Sequence, residues 1–456
     1  MDDSQLTHKL ALQEPASQLG ENRVALSPPS RPCRLEVYHS FESAAAIRED
    51  WTRLAEAVDA DLFGSFEWCA TWWRHFSQGR RLEIYTFWSG DELVAVFPLF
   101  RETLRWGPIG LRVLRLLGSD HAGTRCWPMF KTEFVEEVVP LLIAAMSRAG
   151  AWDILQIGDL PGYFQQTEVL CAALHEASAG RIHLNQSYYP HAVFTLPEHF
   201  EKYLEQLSGN ERNNIRKSER KLSKTHVLKS TVVQPGDSRA FLDEFFHWHD
   251  DYWETQNDLG FFSLWPGSRE FHSEIAQVQC DAGQSVLIRV HANDEPVGLI
   301  CAHRFNGRLH LFQAVRAPGS SLESYGPGRL LHCEAFRWCM SQGISTVDAM
   351  SGFYEYKRRL GADFLGLTTL AMVHPSVSSR GRTKLFKAMV AIVDATYFRM
   401  WLCRITPLLR KRFRMKNHPL LRAGMARRFI RSRFILAAMR DSSDEPGSKH
   451  VGPQDG

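Results

Sequence analysis

The sequence predicts an α/β protein made of two similar halves in tandem, each a twisted mixed β-sheet flanked by helices. Three observations carry this. The chain of 456 residues exceeds one ordinary core, and 44% hydrophobic with 23% charged residues is a globular composition rather than a disordered one. Short runs of strand character alternate with longer runs of helical period. One hairpin also recurs: Asp91-Glu92-Leu93-Val94-Ala95-Val96-Phe97 lies over Asp294-Glu295-Pro296-Val297-Gly298-Leu299-Ile300 at an offset of 203, and neighbouring elements match at offsets of 193–203. That spacing is longer than a solenoid repeat and marks a duplicated domain.

The elements follow in order. Residues 1–33 are polar with Pro28-Pro29 and read as a flexible arm. The first half, 34–190, opens with a strand at Leu35–Tyr38 and a helix at Ala45–Val58. A second helix follows Phe63-Gly64-Ser65 and carries Trp68, Trp72 and Trp73. A hairpin turns at Ser89-Gly90-Asp91, and strand Val113–Leu117, helix Phe134–Arg148 and strand Trp152–Ile157 complete the unit. The second half, 191–375, repeats the order. A strand at Ser230–Val233 leads to helices at Phe241–Trp253 and Phe271–Val278. The hairpin turns at Ala292-Asn293-Asp294, strand Leu309–Val315 follows Asn306-Gly307, and helix Leu330–Met340 precedes strand Thr346–Met350. Residues 376–440 form a basic helical tail and 441–456 a disordered end.

Composition excludes several classes. The first residues, MDDSQLTHKL, are acidic with no apolar core, so a secretory leader is not expected, and no run of 18 uncharged apolar residues predicts a membrane span. The nine cysteines have no CxxC pair. They read as free thiols in a reducing compartment, so we expect a cytoplasmic protein without a metal. Between Ser376 and Arg440, 17 Lys and Arg face one acid, Asp394, a local charge of +16. The rest of the chain therefore carries 3 − 16, or −13. Basic residues interleaved with aromatics suit peripheral contact with an anionic membrane; helices packed on the body with a basic outer face would give the same pattern. The basic stretch Asn210–Lys224 reads as a helix whose charges i, i+4 pairing does not explain; RNA contact and a solvated face are both open, and a nucleic-acid partner is not expected.

The most informative segment is RAPGSSLESYGPGRLLHCEAFRWCMSQG, which leaves a strand and enters a helix at Arg329. Gly326 and Gly328 let backbone approach a phosphate there, where free N–H groups and the helix dipole favour negative charge. A plain strand-to-helix turn would look similar. The run Glu323-Ser324-Tyr325-Gly326-Pro327-Gly328 resembles the Q/R-x-x-G-x-G/A pyrophosphate loop of GNAT acyltransferases, with both glycines matching and Glu323 departing. Asp348 to Gly361, with Tyr356-Lys357, resembles the ending of the CelD/BcsL-type branch, related to FemAB/FemX transferases of two GNAT domains. Trp51, Phe66-Glu67-Trp68, Trp72 and Phe97-Pro98-Leu99 resemble the same branch.

The resemblance implies acyl transfer from acyl-CoA, acetyl or longer, to an amine or hydroxyl acceptor such as a small molecule or glycan or peptide precursor. By analogy alone, this belongs to envelope or exopolysaccharide assembly. It places the donor on Tyr325, Gly326, Gly328, Arg329 and Leu330. Tyr356 protonates the leaving thiolate, Asp348 is the candidate base with Glu323 and His310 behind it, and Lys357 meets the acceptor. Bland alternatives stand beside each: Tyr356 as a packed aromatic, Asp348 as a strand cap, Lys357 as a solvated cation. The first half reads Trp127-Pro128-Met129-Phe130-Lys131 where the glycine loop would be, so it is taken as a degenerate scaffold. Rival readings are a FemX-like transferase using aminoacyl-tRNA and an inactive membrane-bound accessory protein.

Overall fold

A computed structural model describes residues 32–118, 127–148, 151–161, 164–178, 182–186, 191–255, 260, 262, 265–405, 428, 432, 435–436 and 439; the expected disordered end lies outside them, as does nearly all of the N-terminal arm. The first half begins with β1 (Cys33–Tyr38), α1 (Phe41–Ala44), α2 (Arg48–Ala57) and α3 (Phe66–Phe76). Ser65 caps α3 by accepting from Trp68 N, and Trp68, Trp72 and Phe76 recur every fourth residue on its buried face. The hairpin is β2 (Arg81–Ser89) and β3 (Glu92–Trp106). It continues through β4 (Ile109–Leu116), β5 (Met129–Phe130), α4 (Val135–Arg148), β6 (Ile154–Pro161), α5 (Gln165–Ala177) and β7 (Ile182–Gln186).

The second half contains β8 (His191–Thr195), α6 (Phe200–Gln206), α7 (Gly209–Leu222), β9 (Leu228–Val232), α8 (Ser238–Thr255) and α9 (Ser268–Asp281). The repeated hairpin is β10 (Ser285–Ala292) and β11 (Glu295–Phe305). Then come β12 (Arg308–Arg316), α10 (Pro327–Ser341), β13 (Thr346–Ser351), α11 (Glu355–Arg359), β14 (Asp363–Leu365), β15 (Leu367–Val373) and α12 (Val377–Val393). The predicted hairpins and principal helices stand within a few residues of their expected limits. The exception is β3, which runs on to Trp106 because Leu104 and Trp106 bury themselves under α12.

Among the described residues the strands form two mixed sheets. One runs β1-β2-β3-β4-β6-β15-β7, with β5 on β3; the other runs β14-β8-β13-β12-β11-β10-β9. The second sheet is built wholly from strands of 191–375, whereas the first takes one strand, β15, from that half. β15 is hydrogen-bonded between β6 and β7, while β8 lies between β13 and β14. A division at 190/191 thus follows the chain but not the sheets. This insertion explains the apolar run of β15, whose Leu367, Leu370, Ala371 and Met372 are buried in a sheet interior.

The two hairpins match in detail. In the first, a bulge falls between Phe87 and Trp88, leaving Val94 as the extra residue on β3. In the second it falls between Val290 and His291, leaving Val297 extra, again at an offset of 203. Both turns place a residue at positive φ at the same offset, Gly90 at 61° and Asn293 at 54°. The equivalent helices α3 and α9 pack together, with Phe271 edge-on to Trp68 at 5.2 Å and 5.5 Å from Phe76.

The tail helix α12 lies on the first sheet. Ser376 caps it, and Phe386 and Val390 join the core formed by Leu104, Trp106, Leu111 and Ile154. Arg382 donates to Asp153 Oδ1 at 2.7 Å, beside Ser379 Oγ at 2.7 Å and Arg112 Nη2 at 2.9 Å. Burial alone would raise the Asp153 carboxyl, but these hydrogen bonds hold it well below the usual carboxylate range.

Candidate functional site

The parallel pairing of β12 with β13 covers three residues, from Arg308 opposite Thr346 to His310 opposite Asp348. Beyond it β12 continues to Arg316 and β13 to Ser351 unpaired with each other, and a cleft of about 670 Å³ opens along β12. Its floor is Gln313–Arg316. One wall is the start of α10, with Gly326, Gly328, Arg329 and His332. The other is the aromatic face of α8, with Trp248, His249, Tyr252 and Trp253, and Tyr354, Tyr356 and Arg359 form the rim.

Two local features shape this cleft. In the ladder with β11, Cys301 faces Gln313 and Ala302 faces Leu311, so Phe312 is a bulge residue just before the floor. The matching β3–β4 ladder of the first half has no such shift. Gly326 caps α10 at φ 68°, ψ 62°, a left-handed conformation that suits glycine. No side chain caps this end among the described residues, and Pro327 has no N–H, so the Gly328 N–H is the first main-chain donor. A Cβ on Gly328 would meet only Arg316 Cδ, at 3.8 Å. Packing therefore does not require glycine at 328, whereas a ligand approaching the backbone would.

The expected donor-binding residues divide. Gly326, Gly328 and Arg329 line the cleft, with Arg329 paired to buried Glu211. Leu330 is buried in the core of the second half, so its side chain cannot meet a ligand. Tyr325 is not among the residues lining the cleft; Lys221 Nζ sits 4.6 Å from its ring. Glu323 is on the cleft edge and accepts from Arg316 Nη1 at 3.1 Å, a paired surface carboxylate rather than a positioned base.

The expected catalytic residues also separate. Gly352, at φ 114°, redirects the chain after β13; a Cβ there would overlap the Tyr354 ring. Tyr356 then reaches the rim, 46% exposed, with its ring 5.1 Å from His332. Partial burial, reinforced by Tyr354, pushes the phenol up to about 12, so it stays protonated at neutral pH. Lys357 departs from expectation. It is 4% exposed, and its Nζ donates to Ala349 O at 2.7 Å and to Ser351 O at 3.3 Å. It staples the end of β13 and is no surface cation for an acceptor. Burial lowers it to about 8, with Asp348 opposing. Asp348 is also buried and absent from the cleft lining; its Oδ1 accepts from His191 Nε2 and from Met350 N at 2.9 Å.

Sequence reasoning missed His332 and His249. His332 lies one turn after Gly328, so helical spacing places both on one face. Its Nδ1 is 2.8 Å from Gly328 O. A carbonyl only accepts, so Nδ1 carries the proton and neutral His332 keeps its lone pair on Nε2. Burial holds it below the ordinary histidine value. His249, in the run His247-Trp248-His249, is buried against Phe262 and lowered to about 4 by burial and Arg269. No metal was expected from the sequence, yet the structure brings buried Asp61, His310 and Asp348 together.

In the first half, β5 pairs with Ala95 and Val96 of β3, and Met129 and Phe130 are fully buried there. Packed side chains take the place that the glycine loop holds in the second half.

Residues 209–358 match the family described as acetyltransferase (GNAT) domain. The crystal structure of FemX superposes with a TM-score of 0.54 at 10% identity, covering 77% of this chain and 99% of that one, which shows a shared fold. A tandem GNAT protein from the clavulanic acid biosynthesis pathway superposes at 0.39 with 13% identity, over 75% and 100% of the two chains. The C-terminal domain of a putative lysylphosphatidylglycerol synthetase from Agrobacterium fabrum reaches 0.44 with 12% identity, over 77% and 96%. No curated protein matches the chain.

Proposed function

We propose that the second half transfers an acyl group from acyl-CoA to an amine or hydroxyl acceptor. The observation that carries this is the uncapped start of α10, where left-handed Gly326 turns the chain and the Gly328 N–H opens into a cleft faced by aromatic side chains. Arg316, Arg329 and Arg359 stand around it, suited to a pyrophosphate. The family match over 209–358 supports the same reading and contains this loop.

In the reaction, His332 Nε2 accepts the proton as the acceptor nitrogen or oxygen bonds to the thioester carbon. The C–S bond then breaks, the Tyr356 hydroxyl protonates the departing thiolate, and the phenolate recovers a proton from water. Depressed basicity keeps His332 neutral and a raised pKa keeps Tyr356 protonated, so both groups hold the required state at pH 7. Asp348 and Lys357 act from beneath by fixing the end of β13.

Calorimetric titration with CoA, acetyl-CoA and long-chain acyl-CoA tests the proposal. Binding of the CoA compounds supports it. Binding of aminoacyl-tRNA without CoA affinity favours the tRNA-dependent rival, and binding of neither donor favours the inactive one.

The tail supports a membrane-surface role. Leu385, Ile392, Met400 and Trp401 are exposed beside Lys384, Lys387 and Arg399, a combination that suits an anionic lipid surface. Among the described residues no helix is long and apolar enough to cross a membrane.

A further inference from the structure

We infer that Asp61, His310 and Asp348 form a site for one divalent transition-metal ion held between the two halves of the chain. One ligand atom from each lies within 4.8 Å of the others, and all three residues are about 1% exposed. Asp61 belongs to the first half; His310 and Asp348 belong to facing strands of the second.

Distances favour a shared ion over direct hydrogen bonds. His310 Nδ1 is 3.6 Å from Asp61 Oδ1 and 3.5 Å from Asp348 Oδ2, beyond good hydrogen-bond length. Two ligands about 2.1 Å from a tetrahedral metal stand about 3.4 Å apart. Neither ring nitrogen of His310 has a hydrogen-bond partner, although the ring is buried. Buried Lys357 opposes part of the Asp348 charge, and a dication would supply the rest of the compensation that two carboxylates in so dry a place require.

Both carboxylates are held in advance. Asp348 Oδ1 is engaged by His191 Nε2 and the Met350 N–H, which leaves Oδ2 facing His310. The segment carrying Asp61 is clamped by the turn before β12. Asn306 Nδ2 donates to Ala60 O at 2.9 Å and Ala55 O at 3.1 Å, and Arg308 pairs with Asp59. Two carboxylates and one imidazole suit zinc, manganese or iron(II); calcium prefers six to eight oxygens. Three protein ligands leave a position open to water. His310 and Asp348 are the last paired residues before β12 and β13 part, three residues ahead of the cleft floor at Gln313. The ion would fix the point from which the strands diverge, independent of which donor the cleft takes.

The test uses the full chain, stripped by chelator and reloaded separately with Zn²⁺, Mn²⁺ or Fe²⁺. One ion per chain is expected after desalting, with a higher Tm than the stripped protein. Asp61→Asn and His310→Gln should lose both the ion and the Tm response to chelator. X-ray absorption of the loaded wild type should show nitrogen and oxygen ligands alone, which keeps the test decisive if a variant fails to fold. A wild type that retains no ion, variants that retain as much, or thiolate ligation by the cysteines would overturn the assignment and leave the cluster as proton-sharing side chains.

Discussion

Replacing Gly328 by alanine separates the needs of the fold from those of the donor. The position is the second residue of α10, and an added Cβ meets only Arg316 Cδ at 3.8 Å. Alanine is favoured over glycine within helices by up to ~1 kcal/mol, so Tm should stay level or rise. The same methyl stands beside the N–H that we assign to the pyrophosphate. Displacing the phosphate costs one charge-assisted hydrogen bond, worth about 1.5–3 kcal/mol, or roughly ten- to hundredfold in Kd. Gly328→Glu adds like charge and should abolish binding. Gly298→Ala supplies the contrast: its Cβ would overlap Val315 O and lie 2.5 Å from Leu331 Cδ1, so it should cost about 1–3 kcal/mol of stability. Titration calorimetry with CoA, paired with thermal melts, reads both quantities. A folded Gly328→Ala protein that binds CoA as tightly as wild type would refute the assignment of the loop.

Tyr356→Phe should lower kcat about 10²–10⁴-fold with donor Kd nearly unchanged; wild-type kcat across the pH range would show that another group delivers the proton. With His332 required neutral, kcat should fall as pH drops through a value below 6.5, and a limb above that value would remove it as the base. Asp153→Ala leaves Arg112 and Arg382 without their shared carboxylate and should cost about 3 kcal/mol, discounted for their partial exposure. Because its folded pKa is depressed, the wild-type contribution is present above the ordinary carboxylate range and lost as pH falls; equal urea midpoints for variant and wild type at pH 7 would contradict this. Deleting residues 376–456 should reduce binding to anionic vesicles, and salt should weaken the wild type, checked by co-sedimentation. The deletion also bares Leu104 and Trp106, so an exposed-face variant, Lys384→Glu with Lys387→Glu, is the cleaner comparison.

The parts of this architecture legible in the sequence are those written locally. Alternation gave the hairpins, and Asn293 and Gly90 marked their turns through backbone conformations that few residues adopt. The insertion of β15 into the first sheet was not legible, because an apolar run states that a strand is buried and not which sheet buries it. The site divides the same way. Gly326-Pro327-Gly328 announced a helix start open to an anion, while the neighbourhood of Lys357 depended on where the β13 carbonyls point. Asp61 and His310 are separated by most of the chain and meet only through the packing of one half on the other.

The most direct measurement is a crystal structure of the chain soaked or grown with CoA. Pyrophosphate oxygens should lie within hydrogen-bond distance of the Gly328 N–H, near Arg316 and Arg329, with the thiol end running along β12 toward Tyr356. Pyrophosphate bound in the first half, or a CoA chain that avoids the start of α10, would contradict this placement.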